Sequence, residues 1–329
     1  MVRSMKKEYN VLLIPGGSGM AIAAIKALKW DKKLKIFSAD ANKLAAGLYL
    51  SHKGYVVPPF DNSSFYSTIK KIIEKERMDV IIPSLDTILL EFSQKRKEFE
   101  EIGAKVLVSE PNTISITRDK WKTYNKLKDV IPLPKSFIRK DDVDIGFPLI
   151  IKPRDGSGSK NVYRVTSNDE LKFFYERTPN PIIQEYLEGK EYTVDCLADM
   201  DGNLLLCIPR ERIETKSGIS TKGKIIKDER LEGMAKKITS SIKFFGPFFF
   251  QAKEDKRGIP KLTEINPRIS GTMSLSSSSG PNIHSLAVRI CMGEKVKIPK
   301  IKYGLYITRY WEDIYLTDDE IGELTEEMR

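Results

Sequence analysis

Short apolar runs alternate with helical patterns over the first third of the chain. Val11–Ile14 is a continuous apolar run of strand length, and Met20–Trp30 carries apolar residues at helical spacing. The same alternation predicts strands at 34–39, 55–57, 79–82 and 105–108, and helices at 65–77 and 91–102. Strands that alternate with helices are typical of a doubly wound α/β domain with a parallel sheet.

The pattern changes after Pro111, where strands begin to follow one another directly. We predict strands at 148–151, 161–165, 182–185, 191–198, 204–208, 248–253 and 261–265, and helices at 119–127, 167–175, 228–244 and 282–292. The polar segment 209–220 is interpreted as a loop between two elements. The fold class is therefore α/β followed by a mostly antiparallel α+β part.

Composition is that of a globular chain of two or three domains. The 329 residues are 40% hydrophobic and 30% charged, with a formal net charge of +10. The excess charge is divided evenly along the chain, so a solvated Lys/Glu surface is favoured over a nucleic-acid-binding face. No apolar run reaches the ~18 residues of a membrane span. Three cysteines without a CxxC motif argue against a zinc site or a disulfide framework and favour the cytoplasm.

The first chemical motif is a lysine followed by a flexible loop. Lys152 closes a predicted strand, and a loop rich in Gly and Ser comes next. Backbone N–H groups of such a loop can surround phosphate oxygens, and Lys152 adds a positive charge. The loop residues in question are Gly156, Ser157, Gly158 and Ser159. The order is not that of a P-loop.

The second motif joins two predicted strands of a hairpin. Glu264 and Asn266 lie two residues apart, so they point to one face of a strand, and Gln251 on the preceding strand can face them. One carboxylate and two amide oxygens suit Mg²⁺, which also takes ligands from phosphates. Arg268 follows directly and can grip a transferred phosphoryl group.

A third segment can hold a nucleoside. The strand running from Gln184 through Glu185 to Leu187 can offer backbone groups to a purine, and Glu191 can accept both hydroxyls of a ribose. An exposed amphipathic strand would have a similar sequence, so this segment is informative only beside the other two.

Taken together and in this order, the motifs resemble the ATP-grasp superfamily, most of all the carbamoyl-phosphate-synthase-type branch. The matching segments are Arg118-Asp-Lys120, Ile151-Lys-Pro153, Gln184-Glu-x-Leu187-x-Gly-x-Glu191, Gln251, and Glu264-x-Asn-Pro-Arg-x-Ser-Gly271. The resemblance covers nearly the whole chain and implies one stand-alone ATP-grasp unit. It implies a Rossmann-like pre-ATP-grasp domain at 1–112, a first lobe with nucleotide lid and hinge at 113–188, and a second lobe with the metal and acceptor side at 189–329.

The resemblance also implies roles for single residues. Lys120 and Lys152 contact nucleotide phosphates, Glu185 and Leu187 belong to the adenine hinge, and Glu191 holds the ribose. Gln251, Glu264 and Asn266 bind Mg²⁺, with Mn²⁺ as an alternative, and Arg268 lies near the acyl phosphate. Gln251 stands where many relatives have Asp or Glu, whereas the carbamoyl-phosphate-synthase branch itself has Gln there. The choice between one and two metals therefore stays open.

The implied reaction is ATP-dependent phosphorylation of a carboxylate, followed by attack of an amine on the acyl phosphate. Closure of the Gly156–Lys160 loop would exclude water from that intermediate. Six residues are candidates for substrate contact: Arg210, Arg212, Ser217, Gly218, Ser270 and Gly271. The two histidines, His52 and His284, lie outside the motifs.

Three other functions remain open at this stage. The nearest is carbamoyl-phosphate-synthase-like phosphorylation of bicarbonate or carbamate. A remote one is an NAD-dependent oxidoreductase built on the Gly16–Gly19 turn, although Ile22 occupies the third glycine position of that fingerprint. The last is nucleic-acid binding, which lacks a clustered basic face. We expect small-molecule carboxylate and amine partners, no nucleic acid and no membrane, with a homodimer as one arrangement.

Overall fold

The computed structural model describes residues 8–156, 158 and 160–326. Within them the strands form three sheets, one parallel and two antiparallel. This confirms the predicted order of an α/β part followed by an antiparallel α+β part. Ser157 and Ser159, two of the expected phosphate-loop residues, lie outside the described residues.

The first sheet is parallel and has the order β3-β2-β1-β4-β5. Its strands are β1 (Tyr9–Ile14), β2 (Leu34–Asp40), β3 (Lys53–Val56), β4 (Val80–Pro83) and β5 (Lys105–Val106). The helices between and after them are α1 (Gly19–Leu28), α2 (Ala46–Leu50), α3 (Phe65–Glu76), α4 (Asp86–Gln94) and α5 (Arg96–Glu101). β1 lies at the centre because β2 pairs with one of its edges and β4 with the other. The carboxyl end of β1 leads into α1, whose Ser18 accepts a hydrogen bond from the backbone N–H of Ala21.

Two helices lead from this sheet to the second one. They are α6 (Pro111–Arg118) and α7 (Lys120–Leu127). Pro111 occupies the first turn of α6, where a missing N–H is harmless, so the proline that was interpreted only as an exit from the first unit in fact begins a helix. Asp119 caps α7 through its side chain.

The second sheet is antiparallel with the order β6-β9-β7-β8. It consists of β6 (Ser136–Phe137), β7 (Leu149–Pro153), β8 (Tyr163–Val165) and β9 (Pro181–Glu185), with helix α8 (Asn168–Arg177) on its surface. Ser167 caps α8, accepting from the N–H of Glu170.

The third sheet is the largest, with the order β14-β13-β10-β11-β12-β15. Its strands are β10 (Glu191–Ala198), β11 (Leu204–Lys216), β12 (Ile219–Ile225), β13 (Gly246–Glu254), β14 (Pro260–Asn266) and β15 (Tyr306–Thr308). The remaining helices are α9 (Glu229–Ser241), α10 (Met273–Ser278), α11 (Ile283–Cys291) and α12 (Asp318–Glu326). One apolar core runs from α1 and β1 into this sheet and α11, so the first unit packs directly on the last lobe.

Two sequence predictions were wrong in this part of the chain. The segment 209–220 is not a loop: β11 continues through Pro209 to Lys216 and turns at Ser217 and Gly218 into β12. Its charged residues concealed the strand because they form ion pairs on the inner face. The single helix expected at 91–102 is two helices, α4 and α5, which meet at Lys95.

Candidate active site

A cavity of about 260 Å³ lies where the first unit meets the large sheet. We call it the central cavity. Its sheet side is a row of residues that face one another on four adjacent strands: Glu264 opposite Gln251, Gln251 opposite Thr193, and Thr193 opposite Arg210. Residues paired directly across strands share a face, so this row presents its side chains to one side of the sheet. All four residues line the central cavity.

The expected metal ligands come together at one end of this row. Gln251 and Glu264 are direct cross-strand partners, and Asn266 donates from Nδ2 to Glu264 Oε1 at 2.5 Å. Within the described residues no three His, Cys, Asp or Glu side chains form a cluster that could hold a metal. A cation here therefore depends on one carboxylate, amide oxygens and phosphate, which is a donor set that fits Mg²⁺.

Arg268 is fixed before any substrate arrives. Its Nε and Nη2 donate to the two oxygens of Asp86 at 2.6 Å each, and Nη1 donates to the Ile269 carbonyl oxygen at 3.0 Å. The side chain is 8% exposed and lines the central cavity beside Glu264. Asp86 is the first residue of α4, so the pair joins the first unit to the metal end of the site.

The two lysines expected to hold phosphates lie near the same carboxylates. Burial and, to a smaller extent, the nearby charge of Lys120 lower the pKa of Lys152 to about 8, although Glu264 and Glu191 act in the opposite direction. Lys120 is buried, and its Nζ donates to the Gly156 carbonyl oxygen at 2.8 Å. Two cations held close together suit a polyphosphate.

The Arg118-Asp-Lys120 motif holds the base of the Gly/Ser loop. Asp119 accepts from Arg154 Nε at 3.1 Å and from its Nη2 at 2.5 Å, and Lys120 N donates to the Arg154 carbonyl oxygen at 3.0 Å. The Arg154 guanidinium keeps the pKa of Asp119 below its usual value despite burial. Gly158, with φ of 66°, borders the central cavity. The loop is thus anchored at its start and reaches the site at its middle.

The adenine hinge differs from expectation in one respect. Gln184 and Glu185 do not lie on a free strand edge, because β9 pairs with β6 on one side and β7 on the other, and Glu185 N donates to the Lys135 carbonyl oxygen. Both oxygens of Glu185 accept from Lys261 at 2.7 Å. Gln184 is buried and donates to Ser136 Oγ at 2.9 Å. The backbone left for a purine is therefore that after Glu185, at Leu187.

Glu191 and Arg212 are ion-paired. Arg212 Nε lies 2.8 Å from Glu191 Oε1, and its Nη2 donates to the Gly218 carbonyl oxygen at 2.9 Å. The Arg212 side chain is 5% exposed while that of Glu191 is 34% exposed, so the Glu191 side chain remains partly accessible. Glu191 is the first residue of β10, and Arg212 lies on the neighbouring strand of the same sheet.

Arg210 is one of the most deeply buried charges of the site. It is 1% exposed and pairs with Asp195, which is 0% exposed, through Nε at 2.8 Å and Nη2 at 3.3 Å. Asp195 also accepts from Ser270 Oγ at 2.8 Å and Ser276 Oγ at 2.6 Å. Arg210 Nη1 has no hydrogen-bond partner among the described residues, although the residue lines the central cavity.

Several lining residues were not anticipated as site residues. They come from the start of α1, the start of α4 and the inner face of the sheet: Ser18, Gly19, Met20, Leu85, Asp86, Thr193, Ile219 and Phe249. Ser217, Gly218, Ser270 and Gly271, which were anticipated, line it as well. No single motif connects the unexpected residues, since the folding of the first unit onto the large sheet brings them there.

The glycine turn before α1 is held by the end of β2. Asp40 accepts from Gly17 N at 2.7 Å. A Cβ on Gly17 would lie 2.9 Å from the Ala45 Cβ, so protein already covers this turn. The histidines are also outside the site: Ile36 N donates to His52 Nδ1, and burial lowers the pKa of His284 to about 4.

Two family models match different parts of the chain. Residues 177–312 match the model described as "ATP-grasp in the biosynthetic pathway with Ter operon", and residues 11–107 match "PylC-like, N-terminal domain". The chain carries an ATP-grasp domain preceded by a PylC-like domain. The resemblance inferred from the motifs is thereby confirmed.

Relatives of this ATP-grasp chain agree with the branch that the motifs indicated. A carbamoyl-phosphate synthase of Methanobrevibacter smithii is 25% identical over 86% of this chain and 79% of its own length. A carbamoyl phosphate synthase large chain of Clostridium botulinum is 28% identical over 92% of this chain, which spans 31% of that protein. A D-alanine–D-alanine ligase of Petrotoga mobilis is 25% identical over 51% of this chain and 65% of its own.

Solved structures confirm the fold. The biotin carboxylase domain dimer of 2-oxoglutarate carboxylase from Hydrogenobacter thermophilus, in complex with MgADP, ADP and bicarbonate, has a TM-score of 0.74 at 17% identity, covering 90% of this chain and 73% of that one. The ADP complex of N5-carboxyaminoimidazole synthetase from Staphylococcus aureus has a TM-score of 0.70 at 18% identity, covering 89% and 80%. No helix in the described part of the chain is long and apolar enough to cross a membrane.

Proposed function

We propose that this chain is an ATP-dependent ligase that phosphorylates a carboxylate to an acyl phosphate, which an amine then attacks to release phosphate. The observation that supports it most is the row across the large sheet. Glu264 and Gln251 form its metal end, Lys152 carries its charge close to Glu264, and Arg268 stands beside them. Oxygen ligands, two lysines and a fixed guanidinium are what in-line phosphoryl transfer requires.

Each residue has a part in this reaction. Lys152 and Lys120 hold nucleotide phosphates, the backbone near Leu187 holds adenine, and the partly exposed Glu191 accepts the ribose hydroxyls. Gln251, Glu264 and Asn266 would bind Mg²⁺, which neutralises charge that develops on the phosphate oxygens. Mn²⁺ suits the same oxygen ligands.

Arg268 faces the acceptor side of the transfer. A carboxylate oxygen of the substrate attacks the γ-phosphorus of ATP in line, ADP departs, and the acyl phosphate remains beside the guanidinium. Asp86 holds that guanidinium through its Nε and Nη2 groups, so its position costs no reorganisation during the reaction. The Gly156–Lys160 loop then keeps water from the acyl phosphate until the amine attacks the acyl carbon.

A second candidate is phosphorylation of bicarbonate or carbamate. It is supported by the carbamoyl-phosphate synthase names of the relatives and by the bicarbonate in the structurally similar biotin carboxylase domain. This chain spans about a third of the large chains, which leaves the activity of a whole synthase as a proposal only.

The broader setting is also part of the proposal. The divisions at 112 and 188 fall between the three sheets, which supports three functional parts with the boundaries given above. We propose a cytoplasmic enzyme that acts on small molecules and not on nucleic acid. A homodimer is proposed by analogy with the biotin carboxylase domain dimer.

A screen of ADP release tests the function. The purified protein is mixed with ATP, Mg²⁺ and pools of carboxylates and amines, with bicarbonate and ammonia as a separate arm. We expect ADP only when a carboxylate pool is present, and none from Glu264→Ala. The matched control is Glu98→Ala, which removes an exposed carboxylate that pairs only with surface lysines. ADP release that is unchanged in Glu264→Ala would refute the assignment.

A further inference from the structure

The central cavity continues past the metal end to a second group of hydrogen-bond donors. Arg210 lies on β11, two strands away from Gln251 on β13, which corresponds to roughly 10 Å at the usual strand spacing. The reacting carboxylate must lie near Gln251, Glu264 and Arg268. The donors around Arg210 are therefore free to hold a different part of the substrate.

One of these donors is the Arg210 Nη1 group. Asp195 and Ser270 fix the other two nitrogens of this guanidinium, so its orientation is set from behind by buried partners. Nη1 remains without a partner among the described residues. A buried N–H group that pairs with nothing is costly, and an acceptor supplied by a ligand removes that cost.

The start of α1 borders the same cavity. This ten-residue helix leaves its first N–H groups, those of Gly19 and Met20, without partners inside the helix. Gly19 and Met20 both line the central cavity with Arg210. A helix N-terminus carries a partial positive charge and favours an anion.

Among the described residues two carboxylates line the cavity, Asp86 and Glu264, and Asp86 already accepts two bonds from Arg268. Next to the cavity, Asp195 pairs with Arg210 and Glu191 with Arg212. Glu264 remains at the far end for the metal. At the α1 end the groups that still lack a partner are donors, so a ligand there must supply acceptors.

We propose that the substrate carries a second acid group, and that Arg210 Nη1 and the N-terminus of α1 bind it while the first acid group is phosphorylated. This rests on the proposed ligase function and adds the substrate class: a small diacid, with a carboxylate or a phosphonate as the distal group. A volume of about 260 Å³ lies below the ~300–1,000 Å³ of drug-sized sites, which fits a small metabolite.

Calorimetry in the presence of a non-hydrolysable ATP analogue and Mg²⁺ tests the proposal without turnover. The probes are malonate, succinate, glutarate and adipate, each beside the monoacid in which a methyl group replaces one carboxylate, together with phosphonoacetate and 3-phosphonopropionate. We expect at least one diacid to bind about tenfold or more tightly than its monoacid, the effect of one charge-assisted contact. Tighter binding of a phosphonate than of the dicarboxylate of equal length identifies a phosphoryl group as the distal acid. If no diacid or phosphonate binds more tightly than its monoacid, the proposal is wrong.

Variants at Gly19 test whether the second acid group of the substrate binds at the N-terminus of α1. A Cβ at Gly19 would meet no atom within 4 Å, and a carboxylate in the first turn of a helix is favourable, so Gly19→Asp is expected to fold. It should weaken the best diacid about tenfold or more and leave ATP affinity unchanged. Gly19→Asn, of equal size and without charge, should weaken it less. Equal effects of the two variants would contradict an anion site at α1.

The experiments distinguish a failure of the proposed ligase function from a failure of the proposed second acid group. If ADP release depends on Glu264 but monoacids serve as well as diacids, the function stands and the second acid group is wrong. If diacids bind at Gly19 and Arg210 but no carboxylate releases ADP, the anion site stands and the ligase function is wrong.

Discussion

Lys152 should make ATP affinity depend on pH in a range where an ordinary lysine would not. Burial and the nearby Lys120 lower its pKa from 10.5 to about 8 in the free protein. A phosphate group bound against it favours the charged form and raises its pKa again. Below pH 8 the lysine is already protonated when ATP binds, whereas above pH 8 binding must take up a proton. The ATP affinity should therefore fall as the pH rises through about 8.

The magnitude follows from the protonated fraction. With a pKa of about 8, roughly nine tenths of Lys152 carries a charge at pH 7 and roughly one tenth at pH 9. The dissociation constant of ATP·Mg²⁺ should then increase about tenfold between those values. Calorimetry at pH 9 in two buffers with different ionisation enthalpies should also reveal an uptake approaching one proton, and very little at pH 7.

Two variants separate Lys152 from other titrating groups. Lys152→Arg keeps its charge over the whole range, so its ATP affinity should vary far less with pH. Lys152→Gln should bind ATP weakly at both pH values. An affinity for the parent protein that is equal at pH 7 and pH 9, or a slope that persists in Lys152→Arg, would refute the reasoning.

Three further outcomes are expected. Arg268→Lys should bind ATP like the parent but form ADP about a hundredfold more slowly in single turnover, because lysine lacks the planar fork of the guanidinium. Asp86→Asn should slow ADP formation less. Lost ATP affinity in Arg268→Lys would instead place Arg268 on the nucleotide. Gln251→Glu adds charge toward the metal, so the Mg²⁺ concentration that gives half-maximal ADP formation should decrease, and an increase would remove Gln251 from the metal site. Gly47→Ala should lower the thermal midpoint by several degrees, since its Cβ would lie 2.0 Å from a backbone oxygen, whereas Gly233→Ala meets nothing and should not lower it.

The order of elements could be predicted from the sequence because it depends on local patterns. β10 was placed with both ends correct, and the parallel sheet followed from the alternation of apolar runs and helices. The expected pairing of Gln251 with Glu264 was also confirmed, since a hairpin with a short turn sets its own register. These features depend only on residues that are close to one another in the sequence.

Features that depend on distant parts of the chain could not be predicted. β11 was cut short at Ile208 because Pro209, Arg210 and Arg212 look like a loop. Their burial is stable only because Asp195 and Glu191 on β10 pair with the two guanidinium groups. No local pattern shows those partners.

The same limit applies to the border between the first unit and the large sheet. Asp86 belongs to the first unit, and only the folded chain brings it to Arg268, 182 residues away. Gly19 was weighed as a dinucleotide-binding glycine, and the packing of α1 on the large sheet brings it to the central cavity instead. To predict these contacts, one would have to know how the first unit packs on the large sheet.

Oxygen transfer tests the central claim most directly. A carboxylate found in the ADP-release screen is prepared with ¹⁸O in its carboxyl group and turned over with ATP, Mg²⁺ and its amine. Phosphorylation of that carboxylate leaves one of its oxygens on the phosphate when the amine displaces it. We predict inorganic phosphate with one ¹⁸O atom per turnover, detected by mass spectrometry, and none in Glu264→Ala. Unlabelled phosphate formed together with the ligated product would contradict an acyl phosphate and with it the proposed reaction.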